Sequence, residues 1–147
     1  EHASVELLKQ ATCIITPNEC TDALALKKVT QFWSQLEMNT THMSPEDHDA
    51  LIAKISHLPH IVASALAASL SDIPDNQFSF AGGGLNDTTR VAGGSPRLWQ
   101  SIIAENSDQF EQSLKALKSS LAEEDLDGLH KILQDGQLVR KTIEKSK

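Results

Sequence analysis

Ser44-Pro45-Glu46-Asp47-His48-Asp49 opens the stretch that decides the fold, and Ser56-His57-Leu58-Pro59-His60 continues it. A serine able to cap, a proline at the first helical position and two acids in the first turn together make a strong helix start. The hydroxyl accepts a free backbone N–H, the proline has none to leave unpaired, and the acids face the positive end of the helix. Leu51, Ile52, Ile55, Leu58, Val62, Leu66 and Leu70 then keep the helical period to about Ser71. Pro59 falls inside this run. It lacks a donor and crowds the carbonyl of Ile55, so a kink or local break is expected there. Past it, Ala63, Ser64, Ala65, Ala67 and Ala68 form a slender surface that another helix can approach closely.

Upstream the texture differs. Ala11-Thr12-Cys13-Ile14-Ile15-Thr16-Pro17 is a β-branched run ending at a proline and reads as a buried strand. Thr21 or Asp22 can cap a helix with Leu24, Leu26, Val29, Phe32, Trp33 and Leu36 as its apolar stripe, and Asn39 to Met43 has strand character. Strand, helix, strand is a crossover unit of a parallel sheet. Two strands do not make a stable sheet of this kind, so the unit reads as the end of a larger α/β domain whose earlier strands lie outside this chain. The expected division is therefore 1–43, ending an α/β domain, and 44–147, all helical.

Residues 74–95 read as a long connection rich in Gly, Asp, Asn and Pro, a length usually associated with function or disorder. Ser95-Pro96 repeats the helix start, and Trp99, Ile102, Ile103, Phe110, Leu114, Leu117 and Leu121 predict one helix to about Ala122. Asp125 can cap a last helix with Leu126, Leu129, Ile132, Leu133, Val139 and Ile143 inward; Gly136 weakens its middle by about 1 kcal/mol relative to alanine. The two long helices predict a hairpin suited to dimerisation.

Composition narrows the function classes. The chain has 147 residues, four Phe, two Trp and no Tyr, so its core is aliphatic and favours helices packed on helices. A net charge of −7 with scattered basic residues argues against a nucleic-acid partner, which needs a concentrated positive face. No apolar run approaches the roughly twenty residues that span a bilayer, and no signal peptide is evident, so a cytoplasmic protein without a membrane partner is expected. Cys13 and Cys20 read as reduced thiols.

Three of the six histidines, His48, His57 and His60, ride on the proline-interrupted helix. A zinc site would need three or four converging ligands, and no Cys or His-x-Glu element supports one, so no metal is expected. Ala81-Gly82-Gly83-Gly84-Leu85-Asn86-Asp87-Thr88-Thr89-Arg90 is not a dinucleotide fingerprint, because Asp87 stands where the third glycine belongs and no strand precedes it. The glycines predict a tight bend, with positive φ or close backbone approach. Asp87 or Asn86 would cap a short turn carrying Arg90, half-buried beside Val91 and Ala92. Arg90 would there pair with Asp87 or grip a ligand carboxylate, and the residues alone do not choose. Trp99 reads as core. A histidine-bearing helix break beside an arginine loop points to a pocket for a small organic anion.

Ser-Pro-Glu-Asp-His-Asp, Ser-His-Leu-Pro-His, Gly-Gly-Gly-Leu-Asn-Asp-Thr-Thr-Arg-Val-Ala and Ser-Pro-Arg-Leu-Trp, in this order and spacing, resemble the C-terminal part of prephenate/arogenate dehydrogenases. Ile14-Ile15-Thr16-Pro17 and the segment to Met43 resemble the end of that family's nucleotide-binding domain. The resemblance implies a mainly α fold: a helical dimerisation domain of the 6-phosphogluconate-dehydrogenase C-terminal-like type, preceded by the terminal βαβ unit of a truncated Rossmann domain. It implies a homodimeric oxidoreductase of tyrosine biosynthesis using NAD or NADP, bound mainly by an upstream domain. The substrate would be prephenate or arogenate, with tyrosine as a candidate inhibitor. It makes Arg90 the residue that grips the ring carboxylate and His60 the active-site histidine, with His48, Gly83, Asp87 and Trp99 lining or bracing the pocket. Leu85 and Thr88 depart from the phenylalanines common there, which bears on pocket shape. The family's phosphate-binding glycine motif and its histidine followed by proline would lie upstream of Glu1, and His2, followed by Ala3, does not match. The competing reading is a non-catalytic helical dimerisation or tyrosine-sensing module.

Overall fold

A computed structural model describes residues 4–122 and 125–146, so His2 and Ala3 lie outside the described residues. The chain divides into two compact units, one ending at Ser56 and the other beginning at His57.

In the N-terminal unit, β1 (Thr12–Ile15) and β2 (Asn39–His42) pair in parallel, Thr12 opposite Asn39 and Ile15 opposite His42. Helix α1 (Ala23–Gln35) makes the crossover that parallel strands require. It starts at Asp22, whose carboxylate accepts the Ala25 N–H at 2.8 Å. Thr30 ties helix to sheet. Its hydroxyl donates to the Leu26 carbonyl at 2.9 Å, so in the 3.0 Å contact with His42 Nε2 the imidazole is the donor. Gln10 and Glu37, just before the two strands, both have left-handed φ, 58° and 60°. The Gln10 N–H donates to the Glu37 carbonyl at 2.8 Å, which ties the starts of β1 and β2 to each other. The apolar stripe of α1 is not covered: Leu24 and Phe32 are exposed, and α1 buries none of its residues. Helix α2 (Pro45–Ile52) begins as the sequence reading expects, with the Ser44 hydroxyl accepting the Asp47 N–H at 3.0 Å and Pro45 in the first turn.

The break expected near Pro59 is a π-helical turn, Ala53–His57, leading into α3 (Leu58–Ala68). The wider turn absorbs the missing donor and the steric clash of a proline placed second in α3. The helical stretch Pro45–Ala68 is 24 residues with a window of mean hydropathy 1.4, which by length and composition is enough to cross a membrane, contrary to the sequence expectation. On it His57, His60 and Ala63 are buried in the protein.

The C-terminal unit is helical. Helix α3 packs against α4 (Gly83–Thr89), against a 3-10 turn Arg90–Gly93 that continues α4, and against α6 (Ser107–Ser120). Its centre is where the small residues of α3 allow close approach, with Ala63, Phe110 and Ser113 buried. Two sequence expectations need correction. Residues 74–95 are not an open connection but a succession of short helical turns: a 3-10 turn Asp75–Phe80, then α4, then Arg90–Gly93. The single helix expected from Pro96 to about Ala122 is two, α5 (Pro96–Glu105) and α6, because Asn106 leaves helical geometry at φ −132° and ψ 36°. Helix α7 (Leu126–Lys145) starts at Asp125, which accepts the Gly128 N–H at 2.8 Å. The residues expected inward on it are largely exposed.

Candidate functional site

The π turn and α3 deliver His57 and His60 to the interior, each only 6% exposed. Ser95 and Pro96 start α5, and Trp99 lies one turn in, its N–H donating to the Ser95 carbonyl at 3.1 Å. The Trp99 indole stacks on the His60 imidazole with ring centroids 3.6 Å apart and planes 15° from parallel, while His57 meets the indole edge-on at 6.4 Å. Stacking covers a face of the imidazole and fixes its plane, so the polar atoms of His60 can act only along the ring edge. Gly94 closes the cluster. A Cβ there would lie 2.7 Å from Trp99 Nε1 and 2.9 Å from His60 Cε1, so no other residue fits without displacing a ring.

Arg90 begins the 3-10 turn that packs on α3 and ends next to Gly94. Such a turn rises about 2 Å per residue and one extended step follows it, so the backbones of Arg90 and Gly94 lie within about 10 Å of each other. Arg90 is exposed, not half-buried as expected, and among the described residues it makes no ion pair with Asp87. Gly83 and Asp87 are exposed on α4, which runs straight into the Arg90 turn; Asp87 is inside that helix and does not cap it. None of the described glycines has positive φ, and a Cβ at Gly82, Gly83 or Gly84 would meet nothing within 4 Å. The glycine run therefore opens α4 and makes no tight bend. The close approach expected of it occurs at Gly94 instead. His48 belongs to the N-terminal unit, where its Nδ1 lies 2.9 Å from Asp49 Oδ1.

Sequence reasoning counted His57 among the helix histidines without giving it a role, and it missed Gly94. The signal for Gly94 was its place between a short turn and the Ser95-Pro96 helix start, where the chain must pass under Trp99 one turn later.

The described residues do not fit a dinucleotide cradle. Where β1 and β2 end, a cleft of about 530 Å³ is lined by Pro17, Asn18, Glu19, Cys20, Ser44 and Glu46, at the edge where parallel sheets bind ligands. It holds no glycine and two carboxylates, and the helices leaving it are closed by their own caps, Asp22 and Ser44. A pyrophosphate needs bare backbone N–H groups and no facing acid. Among the described residues no group of three His, Cys, Asp or Glu side chains converges as a metal site would.

Residues 44–135 match the family model of the prephenate dehydrogenase dimerization domain. A cyclohexadienyl dehydrogenase of Zymomonas mobilis is 33% identical over 146 residues, covering 92% of this chain and 50% of that protein. The crystal structure of Synechocystis arogenate dehydrogenase superposes with a TM-score of 0.78 at 28% identity, covering 94% of this chain and 54% of that one. The structure of A. aeolicus prephenate dehydrogenase in complex with hydroxyphenyl propionate and NAD+ gives 0.71 at 33% identity, covering 92% and 48%. The chain thus spans about half the length of these relatives. The ordered motifs, the helical unit built on α3 and these likenesses agree, and the chain belongs to the prephenate dehydrogenase family.

Proposed function

We propose that the protein carrying this chain is an NAD- or NADP-dependent prephenate or arogenate dehydrogenase, active as a homodimer. Residues 1–43 end its nucleotide-binding domain and 44–147 form its substrate and dimer domain. The observation that carries this reading is the His60–Trp99 stack set beside the Arg90 turn, in a chain of this family. The reaction is an oxidative decarboxylation: a hydride leaves the ring carbon bearing the hydroxyl, the ring carboxylate departs as carbon dioxide, and the ring becomes aromatic. The oxidised nicotinamide would accept the hydride, held mainly by an upstream nucleotide-binding domain.

The chain's own residues bind and orient. Arg90 presents an exposed guanidinium fork that can hold a carboxylate through two parallel hydrogen bonds. His60, its plane set by Trp99, offers an edge nitrogen to the substrate. Gly83 and Asp87 line the pocket around them. The substrate is a dianion and the chain carries −7, so local donors must outweigh the overall field. In the complete enzyme Arg90→Ala should raise KM about 30-fold or more, the loss of a charge-assisted contact. Steady-state kinetics with both substrates and both nicotinamide cofactors checks it. Unchanged kinetics would remove Arg90 from the site, and no turnover by the parent protein with any pair, alongside measurable tyrosine binding, would establish the sensing module instead.

A further inference from the structure

Trp99 is held on more than one side. His60 lies against its face, with ring centroids 3.6 Å apart and planes 15° from parallel. His57, one turn earlier on the same helical stretch, stands across the indole at 6.4 Å with its plane 80° away. The backbone of Gly94 closes on the indole nitrogen, where a Cβ would come to 2.7 Å. His57 is as deeply buried as His60, each 6% exposed, yet only His60 has a task at the substrate.

The anchoring of α5 gives His57 its task. Helix α5 packs on α6, while α3 packs on α4, on the Arg90–Gly93 turn and on α6. Among the described residues no extensive backbone contact joins α5 to α3, so the register of Trp99 over His60 is left to side chains. A stack of two rings fixes the tilt between them but lets one slide over the other, since offset arrangements are also favourable. A further ring set nearly perpendicular blocks that slide. His57 ends the π turn and His60 is in the first turn of α3, so both rings locate the indole against one short piece of backbone. Close packing of an interior turns such contacts into a fixed position.

We propose that His57 is a positioning residue: it holds the Trp99 indole in register over His60, and so keeps the edge nitrogen of His60 aimed at the ligand. In this role it acts as a flat ring, and neither a proton nor a hydrogen bond is required of it. The proposal rests on the reading of His60 as a substrate contact, and its first readout is of ring geometry alone.

The test uses the complete protein with isotopically labelled histidine. Protons of a ring stacked on an indole are shielded by its ring current. The His60 ring resonances, assigned by their loss in His60→Asn, should therefore lie upfield in the parent. A nuclear Overhauser contact should join the ring protons of His57 and Trp99. His57→Ala and His57→Gln should each lose most of the upfield displacement, and His57→Phe, which keeps a flat ring, should retain it. A loss of stability alone would leave the resonance of the folded molecules where it was. In steady-state kinetics His57→Ala and His57→Gln should lower kcat/KM about tenfold or more, the cost of a misaimed group, and His57→Phe should stay near the parent. An unchanged His60 resonance in folded His57→Ala would overturn the proposal, as would a missing Overhauser contact in the parent. Activity retained by His57→Gln but not by His57→Phe would overturn it too, by making hydrogen bonding the working feature of the side chain. A lost displacement with unchanged kinetics would uphold the positioning of the rings and count instead against His60 as a substrate contact.

Discussion

Gly94 has no room for a methyl group, and the contacts that deny it are the two rings of the candidate site. Gly94→Ala must push the Trp99 indole or the His60 imidazole off their stack, an overpacking that costs about 1–3 kcal/mol. The expected outcome is a lower midpoint in urea together with a weakened near-ultraviolet signal from Trp99. A fully native midpoint would show that the rings are not held where Gly94 meets them. At this scale the sequence was legible in part. His60 and Arg90 could be singled out from the proline beside one and the glycine run before the other. Trp99 could not be separated from core, because stacking on His60 depends on how α3 and α5 meet, and no local pattern records that. The half-buried Arg90 was misjudged for the opposite reason: apolar neighbours along the chain say little about a one-turn helix whose other side faces solvent.

Elements were legible wherever a cap marked their start. Ser44, Ser95, Asp22 and Asp125 all accept a backbone N–H from the first turn of the helix they precede. Ser44→Ala should cost about 1 kcal/mol, the loss of one cap bond at a helix end. Phe110→Ala should cost about 3 kcal/mol, because a 9% exposed ring at the contact of α6 with α3 leaves a cavity behind. Chemical denaturation of both variants checks the order, and a cap variant weaker than the core variant would mean that α6 is not part of the centre. The break at Asn106 was readable and passed over. Asn106-Ser107-Asp108 offers residue types that cap helices, but the apolar period of Ile102, Ile103 and Phe110 runs through it. Periodicity survived because α5 and α6 pack on each other and both serve the same core. The turns between Asp75 and Gly93 were illegible for a related reason: each is too short for a period, and all are rich in residues that also build loops.

For the whole molecule the telling quantity is apolar surface left uncovered. The stripe on α1 was assigned correctly as a stripe, yet in this chain Phe32 is 55% exposed, edge-on to Trp33 with ring centroids 5.1 Å apart. A two-stranded parallel sheet is too narrow to cover the apolar stripe of its one crossover helix, which it touches along one side only. If residues 1–43 end a larger nucleotide-binding sheet, that sheet covers the stripe in the complete protein. The same substitution then has two magnitudes. Phe32→Ser in the chain expressed alone should change unfolding free energy by no more than about 0.5 kcal/mol, as for an exposed position. In the complete protein it should cost about 2–4 kcal/mol, as for a buried aromatic. Urea unfolding of both forms, each against its own parent, measures the difference. Equal small effects in the two forms would show that α1 faces solvent in both and that the strand–helix–strand unit is not the edge of a larger sheet.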